Sequence, residues 1–241
     1  MNKSLIFSVL LINLLITSAY AQDKKVAVVT FYAVNQIGLP DFGSVAAAAR
    51  LASDPDFNLR PMLKKFHDQF FGDYSKGFPF QFLPESEVFN NEAYKTFIPE
   101  QGKVSVSDML KSSGYTAIKG YQVVLPVKGD SNEKNLLKMF DQCDGIMEVY
   151  VNFDLEAKGF GGMGLVKVDA HATIVLFNKN GDKVFSINEH ALSKNEGALI
   201  AGLPSITPKK ILPLCESALD ELIPVLQNDM PKMVKKANAK L

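Results

Sequence analysis

Tryptophan is absent, cysteine occurs twice, and neither sign of charge prevails: 26 lysines and arginines face 26 aspartates and glutamates in 241 residues. The charge balance argues against nucleic acid as a partner. Such binding draws most of its affinity from phosphate neutralisation, and the chain has no long basic stripe. The basic tail PKMVKKANAK is short and reads as a solvated helix end. Two cysteines, Cys143 and Cys215, without a C-x-x-C spacing give no support to a thiol oxidoreductase. A disulfide between them stays open, because its geometry is strict and both sit where cysteine behaves as a small hydrophobe. G-x-S-x-G, H-E-x-x-H and G-x-x-x-x-G-K-[ST] are all missing, so the sequence shows no nucleophile elbow, helical zinc pair or P-loop. No catalytic residue, metal ligand or cofactor is expected. Past residue 21, no run is long and apolar enough to span a bilayer as a helix.

The first 21 residues have a clear pattern. Lys3 precedes an apolar run from Leu5 to Ile16, and Ala19-Tyr20-Ala21 gives an A-x-A site. This is the layout of a secretory signal peptide, with cleavage expected after Ala21 and a periplasmic or extracellular destination. No cysteine follows the apolar run, so a lipid-modified amino terminus is not expected. Residues 22–241 then read as one domain.

Lys25 to Val34, KVAVVTFYAV, is apolar and β-branched almost throughout, as a strand buried on both faces would be. Residues 35–58 are an excursion broken by Gly38, Pro40 and Gly43, with a short helix expected in VAAAARLA after Ser44. Asn58 can cap a helix to about Ser75, on which Leu59, Leu63, Phe66, Phe70 and Tyr74 share a face. FPFQFLP at 78–84 predicts a second strand, 86–97 and 107–111 further helices, Tyr121–Leu125 a third strand and Asn132–Gln142 another helix. The aromatic set Phe66, Phe70, Phe78, Phe80 and Phe82 reads as core, with the lining of a small apolar-ligand cavity as the alternative.

The period then changes. Val149, Val151, Phe153 and Leu155 alternate with Glu148, Tyr150, Asn152, Asp154 and Glu156. Val166, Val168, Ala170, Ala172, Ile174 and Leu176 alternate with Lys167, Asp169, His171 and Thr173. Strict alternation marks strands that are dry on one face and wet on the other. Asn180-Gly181 supplies a tight turn, and 183–191 returns as the third strand of an antiparallel meander. A final helix starts at Thr207-Pro208 and carries the stripe Ile211, Cys215, Ala218, Leu219, Leu222 and Leu226; Pro213 and Pro224 should kink or interrupt it. The fold class is α+β. A mixed sheet opens with strand/helix alternation and ends in a three-stranded antiparallel meander, with the long final helix packed on one face.

Gly159, Gly161 and Gly164 fit G-x-G-x-x-G, the spacing of a dinucleotide-binding turn. That chemistry needs a helix amino terminus after the glycines. The following residues alternate with period two, so the glycines are expected at a hairpin tip with no nucleotide. Phe160 and Met163 at that tip could contact a partner. Asp169 and His171 lie two apart on one strand face and read as part of a solvated polar face, with an acid–base pair as the sterically allowed alternative. His67 reads as a boundary histidine and His190 as an exposed strand-end residue.

KVAVVTF at 25–31 and TIVLFNKNGDKVFS at 173–186, in this order of elements, resemble exported proteins built like the curli-secretion channel protein and the amino-terminal domain of the Tol translocation protein. The resemblance covers most of the chain after residue 21. The excursion at 35–58 has no counterpart there, and the lipid-attachment cysteine common in such proteins is missing. It implies an envelope role exercised through contacts with other envelope proteins, without chemistry; a homo-oligomer is compatible with it. Two functions are therefore carried forward. One is an exported, non-enzymatic binding or adaptor protein. The other is an exported hydrolase with an acidic and histidine site on the meander face around Asp169 and His171.

Overall fold

The computed structural model describes residues 24–38, 51–100, 114–126, 131–160, 163–200, 203–204 and 207–241. The elements are β1 (Lys25–Val34), α1 (Arg60–Gly72), a 3-10 turn (Tyr74–Gly77), β2 (Gln81–Phe82), α2 (Glu85–Asn90) and α3 (Glu92–Lys95). They continue with β3 (Tyr115–Ala117), α4 (Ser131–Met139), β4 (Gly145–Phe160), β5 (Met163–Asn178), β6 (Lys183–Leu192), β7 (Gly197–Ile200), β8 (Leu203–Pro204) and α5 (Pro208–Lys240). The fold is α+β, with a mixed sheet in the order β2-β1-β4-β5-β7-β8. β3 adds to β1 beyond β2, and β6 adds to β5 beside β7.

β1 runs parallel to β4 and is buried on both sides, as its unbroken apolar run requires. A bulge between Val28 and Thr30 shifts its alternation by one residue. Val26, Val28, Phe31 and Ala33 therefore enter one core, while Ala27 and Val29 enter the other. β4 and β5 form an antiparallel hairpin 16 residues long in each arm, and β6 completes the meander. Val149, Val151, Phe153 and Leu155 of β4 and the even residues Val166 to Leu176 of β5 line the larger core. α5 packs across them with Ile211, Leu214, Cys215, Ala218, Leu219, Leu222 and Leu226 buried. Each leucine so buried contributes roughly 1.5–3 kcal/mol. α1 adds Met62, Leu63, Phe66 and Phe70 to the same core. On the other face, α2, α3 and α4 cover one end of the sheet through Val88, Tyr94, Leu136 and Phe140, packed on Val29, Ile146, Val175 and Phe177.

Several sequence expectations need correction. Residues 121–126 form no strand. Their backbone is held by side chains instead: Thr30 Oγ1 donates to the Gln122 carbonyl (2.7 Å), and the Gln122 N–H donates to Tyr94 Oη (2.8 Å). The third strand is Tyr115–Ala117, antiparallel to Tyr32–Val34. Of FPFQFLP only Gln81 and Phe82 join the ladder. α5 is interrupted neither at Pro213 nor at Pro224, and it also passes through Pro231. These three residues are 11 and 7 positions apart, which at 3.6 residues per turn places them within about 20° of one line. All three are exposed. The hydrogen bonds they remove are on the water side, where a helix wrapped round a core already loosens its bonds. Thr207 occupies the cap position of α5, but its hydroxyl makes no capping bond. The helix expected at 107–111 lies outside the described residues, as does that in VAAAARLA apart from Leu51 and Ala52, which are helical.

Both cysteines are free and buried, Cys143 in the smaller core and Cys215 in the larger. Burial pushes the Cys143 thiol up to about 11 and raises that of Cys215 further. These are inert thiols. Phe66, Phe70, Phe78 and Phe80 are buried and Phe82 partly so, with rings in mutual contact, such as Phe78 and Phe80 at 5.0 Å. The cavity beside Phe66 and Phe70, closed by Tyr74, Ile223 and Leu226, measures about 70 Å³. Small-molecule sites usually run to roughly 300–1,000 Å³; an open groove beside Phe80 and Phe82, lined also by Phe71 and Leu83, measures about 530 Å³.

Candidate functional site

The three meander strands bring polar side chains together through their register. Residues directly opposite on neighbouring strands share a face. β4 and β5 pair Asn152 with His171 and Asp154 with Asp169, while β5 and β6 pair His171 with His190. The even positions of β4 and the odd positions of β5 point away from α5, since the intervening residues fill the core beneath that helix. Asp154, Asp169, His171 and His190 thus form one cluster on the face opposite α5.

Asp169 is its centre. The side chain is only 4% exposed. Its Oδ2 lies 2.9 Å from His190 Nδ1 and 3.5 Å from His171 Nε2. His171 Nε2 is also 3.3 Å from Asp154 Oδ2. Asp169 Oδ1 is buried and has no hydrogen-bond partner among the described residues. The two imidazole rings stack at 5.4 Å with planes 16° apart. One ligand atom each from Asp169, His171 and His190 lies within 4.8 Å of the other two. Burial falls across the cluster, from Asp169 through His171 (23% exposed) to His190 (62%).

Backbone irregularities frame this group. Gly38 makes a parallel bridge to Asp154, with its N–H donating to the Phe153 carbonyl and its own carbonyl accepting from the Leu155 N–H. A Cβ at Gly38 would collide with the Asp154 carboxylate, so the glycine permits this close approach. On the far side, β6 ends at Leu192 and Ser193 takes over the ladder: its N–H donates to the Val168 carbonyl and its Oγ accepts from the Val168 N–H. Lys167 sits two residues before Asp169 and pairs with Glu196 at 3.3 Å.

Sequence reasoning identified Asp169 and His171 as a pair on a strand face, and the structure places them there. Two properties differ from expectation. Asp169 is not solvated but nearly fully buried, and Glu148, read as part of the same wet face, is buried as well. The smaller core and its helices close that end of the face, so wetting is confined to the end that holds the cluster. Sequence reasoning missed Asp154 and His190 as members of the cluster. Their signal was available in the turns, because a hairpin centred on Asn180-Gly181 sets His190 opposite His171, and one centred on 161–162 sets Asp154 opposite Asp169.

The other candidates lie elsewhere. Gly159 pairs with Gly164 and Phe160 with Met163 at the closed end of the β4–β5 hairpin, with residues 161–162 outside the described set. The glycine motif is followed by a strand rather than a helix, so no helix amino terminus is available to a pyrophosphate there. His67 on α1 lies far from the meander cluster in the chain and bonds Glu85 at 2.8 Å.

No helix among the described residues is long and apolar enough to cross a membrane. No family model and no curated protein matches the chain. Among solved structures it is similar to a protein of Helicobacter pylori described as a neuraminyllactose-binding hemagglutinin homolog, at 9% identity and a TM-score of 0.36 over 90% of each chain. It is also similar to the lipoprotein GNA1162 of Neisseria meningitidis, at 12% identity and a TM-score of 0.32, covering 87% of this chain and 99% of that one.

Proposed function

We propose that this chain is exported and acts in the cell envelope as a non-enzymatic binding or adaptor protein, with the polar face of β4, β5 and β6 as its contact surface. One observation carries the reading. α5 seals one face of the meander, while on the other face Tyr150, Asn152, Asp154, His171 and His190 remain partly or largely exposed beside a buried carboxylate. These groups stand on the face of a sheet and project from regular strands, an arrangement suited to recognition by a second surface. Tyr150 stacks on buried Tyr32 at 5.3 Å, which adds an aromatic of the kind enriched at protein contacts. The layout Lys3, Leu5–Ile16 and Ala19-Tyr20-Ala21 supports export. Phe160 and Met163 pair across the far end of the same hairpin. The resemblance to curli-secretion and Tol proteins fits a partner drawn from other envelope proteins.

The test is a comparison of variants in the cell of origin. Asn152→Arg and Asn188→Arg on the polar face should abolish co-purification of a specific envelope partner, whereas Gln227→Arg on the exposed side of α5 should leave it intact. Equal recovery with all three would refute the assigned surface. Retention of an uncleaved leader in the cytoplasmic fraction would refute export.

A further inference from the structure

We propose that Asp169, His171 and His190, with Asp154 alongside, bind one divalent transition ion of the zinc class. The inference stands apart from the adaptor reading, since an ion can be held here whether or not a protein docks.

A carboxylate removed from water is stable only when paired, hydrogen-bonded or bound to a cation. Asp169 is almost wholly buried, yet among the described residues only one of its oxygens has partners. A second carboxylate, Asp154, stands directly opposite it on β4. Like charges placed opposite each other on adjacent strands destabilise a sheet. The neighbouring lysine on this face, Lys167, is engaged by Glu196. A cation held between the carboxylates would offset both negative charges.

Donor chemistry then selects the cation. Two of the converging atoms are imidazole nitrogens, which suit zinc, copper, nickel or iron; calcium and magnesium take oxygen. Tetrahedral zinc holds nitrogen and oxygen at about 2.0–2.2 Å, which sets ligand atoms about 3.4 Å apart. The carboxylate–imidazole separations of 2.9, 3.3 and 3.5 Å bracket that spacing, and the ligand atoms of the two histidines lie within 4.8 Å of each other. One adjustment is needed. An ion lies in the plane of each imidazole it binds, so the near-parallel rings must turn out of their stack. His190 is largely exposed and free to do so, because the torsion of a histidine ring is broad. Its exposure also makes the ion exchangeable with solution. Asp154 or water takes the fourth position. The usual sequence signal for such a site, two histidines three or four apart on a helix, is missing because the ligands come from two strands joined by a turn.

The test is calorimetric titration of zinc chloride into the tag-free protein stripped with chelator. Cobalt chloride in a parallel titration reports tetrahedral coordination through its visible absorption. The expected result is one zinc ion per chain with micromolar or tighter affinity, a cobalt band, and no heat from calcium chloride. His171→Gln and His190→Gln should each weaken zinc binding by about tenfold or more, by analogy with the loss of other groups that hold a metal site together. His67→Gln should leave it unchanged. His190→Gln alters an exposed side chain, and an unchanged circular dichroism spectrum will show that it folds. Absence of zinc binding, or affinity unchanged from wild type in both His171→Gln and His190→Gln, would overturn the proposal and leave the cluster as a hydrogen-bonded network.

Discussion

At the residue scale, the polar groups with the clearest energetic roles lie in and beside the two cores. Tyr94 is buried, donates its hydroxyl hydrogen to the Val29 carbonyl (2.7 Å) and accepts from the Gln122 N–H (2.8 Å). One phenol thus ties α3, β1 and the segment after Gly120 together. Tyr94→Phe leaves a carbonyl and an N–H short of a partner, and it should cost about 1–3 kcal/mol in urea denaturation. His67 and Glu85 join α1 to the start of α2 at 2.8 Å. Burial alone would lower His67, but the Glu85 hydrogen bond and charge, with Asp68, outweigh it and raise the imidazole above its ordinary 6.5. Burial likewise opposes the charged form of Glu85, and the His67 bond outweighs it, holding the carboxyl below its ordinary 4.5. The raised histidine contributes stability below pH 6.5 that is lost as pH rises through its folded value. The lowered glutamate contributes above pH 4.5 and loses that contribution as pH falls. The pair therefore stabilises most at about pH 4.5–6.5. His67→Gln should cost about 1 kcal/mol more at pH 5.5 than at pH 8.5, read from paired denaturation curves. An equal cost at both values would show that the ion pair contributes nothing.

At the element scale, the β5–β6 turn sets the register of the cluster. Gly181 has φ +87°, and Asn178 Oδ1 accepts from the N–H groups of Asn180 and Asp182. An alanine at 181 must adopt a left-handed conformation, at a cost of about 1–2 kcal/mol. Gly181→Ala should lower the thermal midpoint by several degrees, while Gly72→Ala, with open space around its Cβ, should not lower it. The elements with a long clean period were legible in the sequence: β1, α1, the meander and the buried stripe of α5. Short elements were not. β3 has three residues, and its pairing with Tyr32–Val34 depends on how far β1 extends past its neighbour, which no local pattern encodes. The segment 121–126 has a strand's composition, but Thr30 and Tyr94 claim its backbone from distant parts of the chain. The prolines of α5 overstated the break because their cost depends on which side of the helix they face, and all three face water.

At the scale of the whole molecule, the sheet has two unequal faces. Among the described residues, α1 and α5 cover one and α2, α3 and α4 cover one end of the other, and the polar cluster stands beyond the cover of those three helices. Half of the cluster could be read from the sequence, because Asp169 and His171 are two apart on one strand. Asp154 and His190 required the register of two hairpins, and the burial of Asp169 depends on three neighbouring strands at once. The division of faces is also the basis of the functional reading, which makes the end left open by the described helices the surface that meets a partner. Site-specific photo-cross-linking in living cells tests this most directly, with a benzophenone amino acid placed at Asn188 on β6 or at Gln227 on α5. A discrete cross-linked product is expected from Asn188 and none from Gln227. A product from Gln227 alone, or from neither position, would contradict this reading.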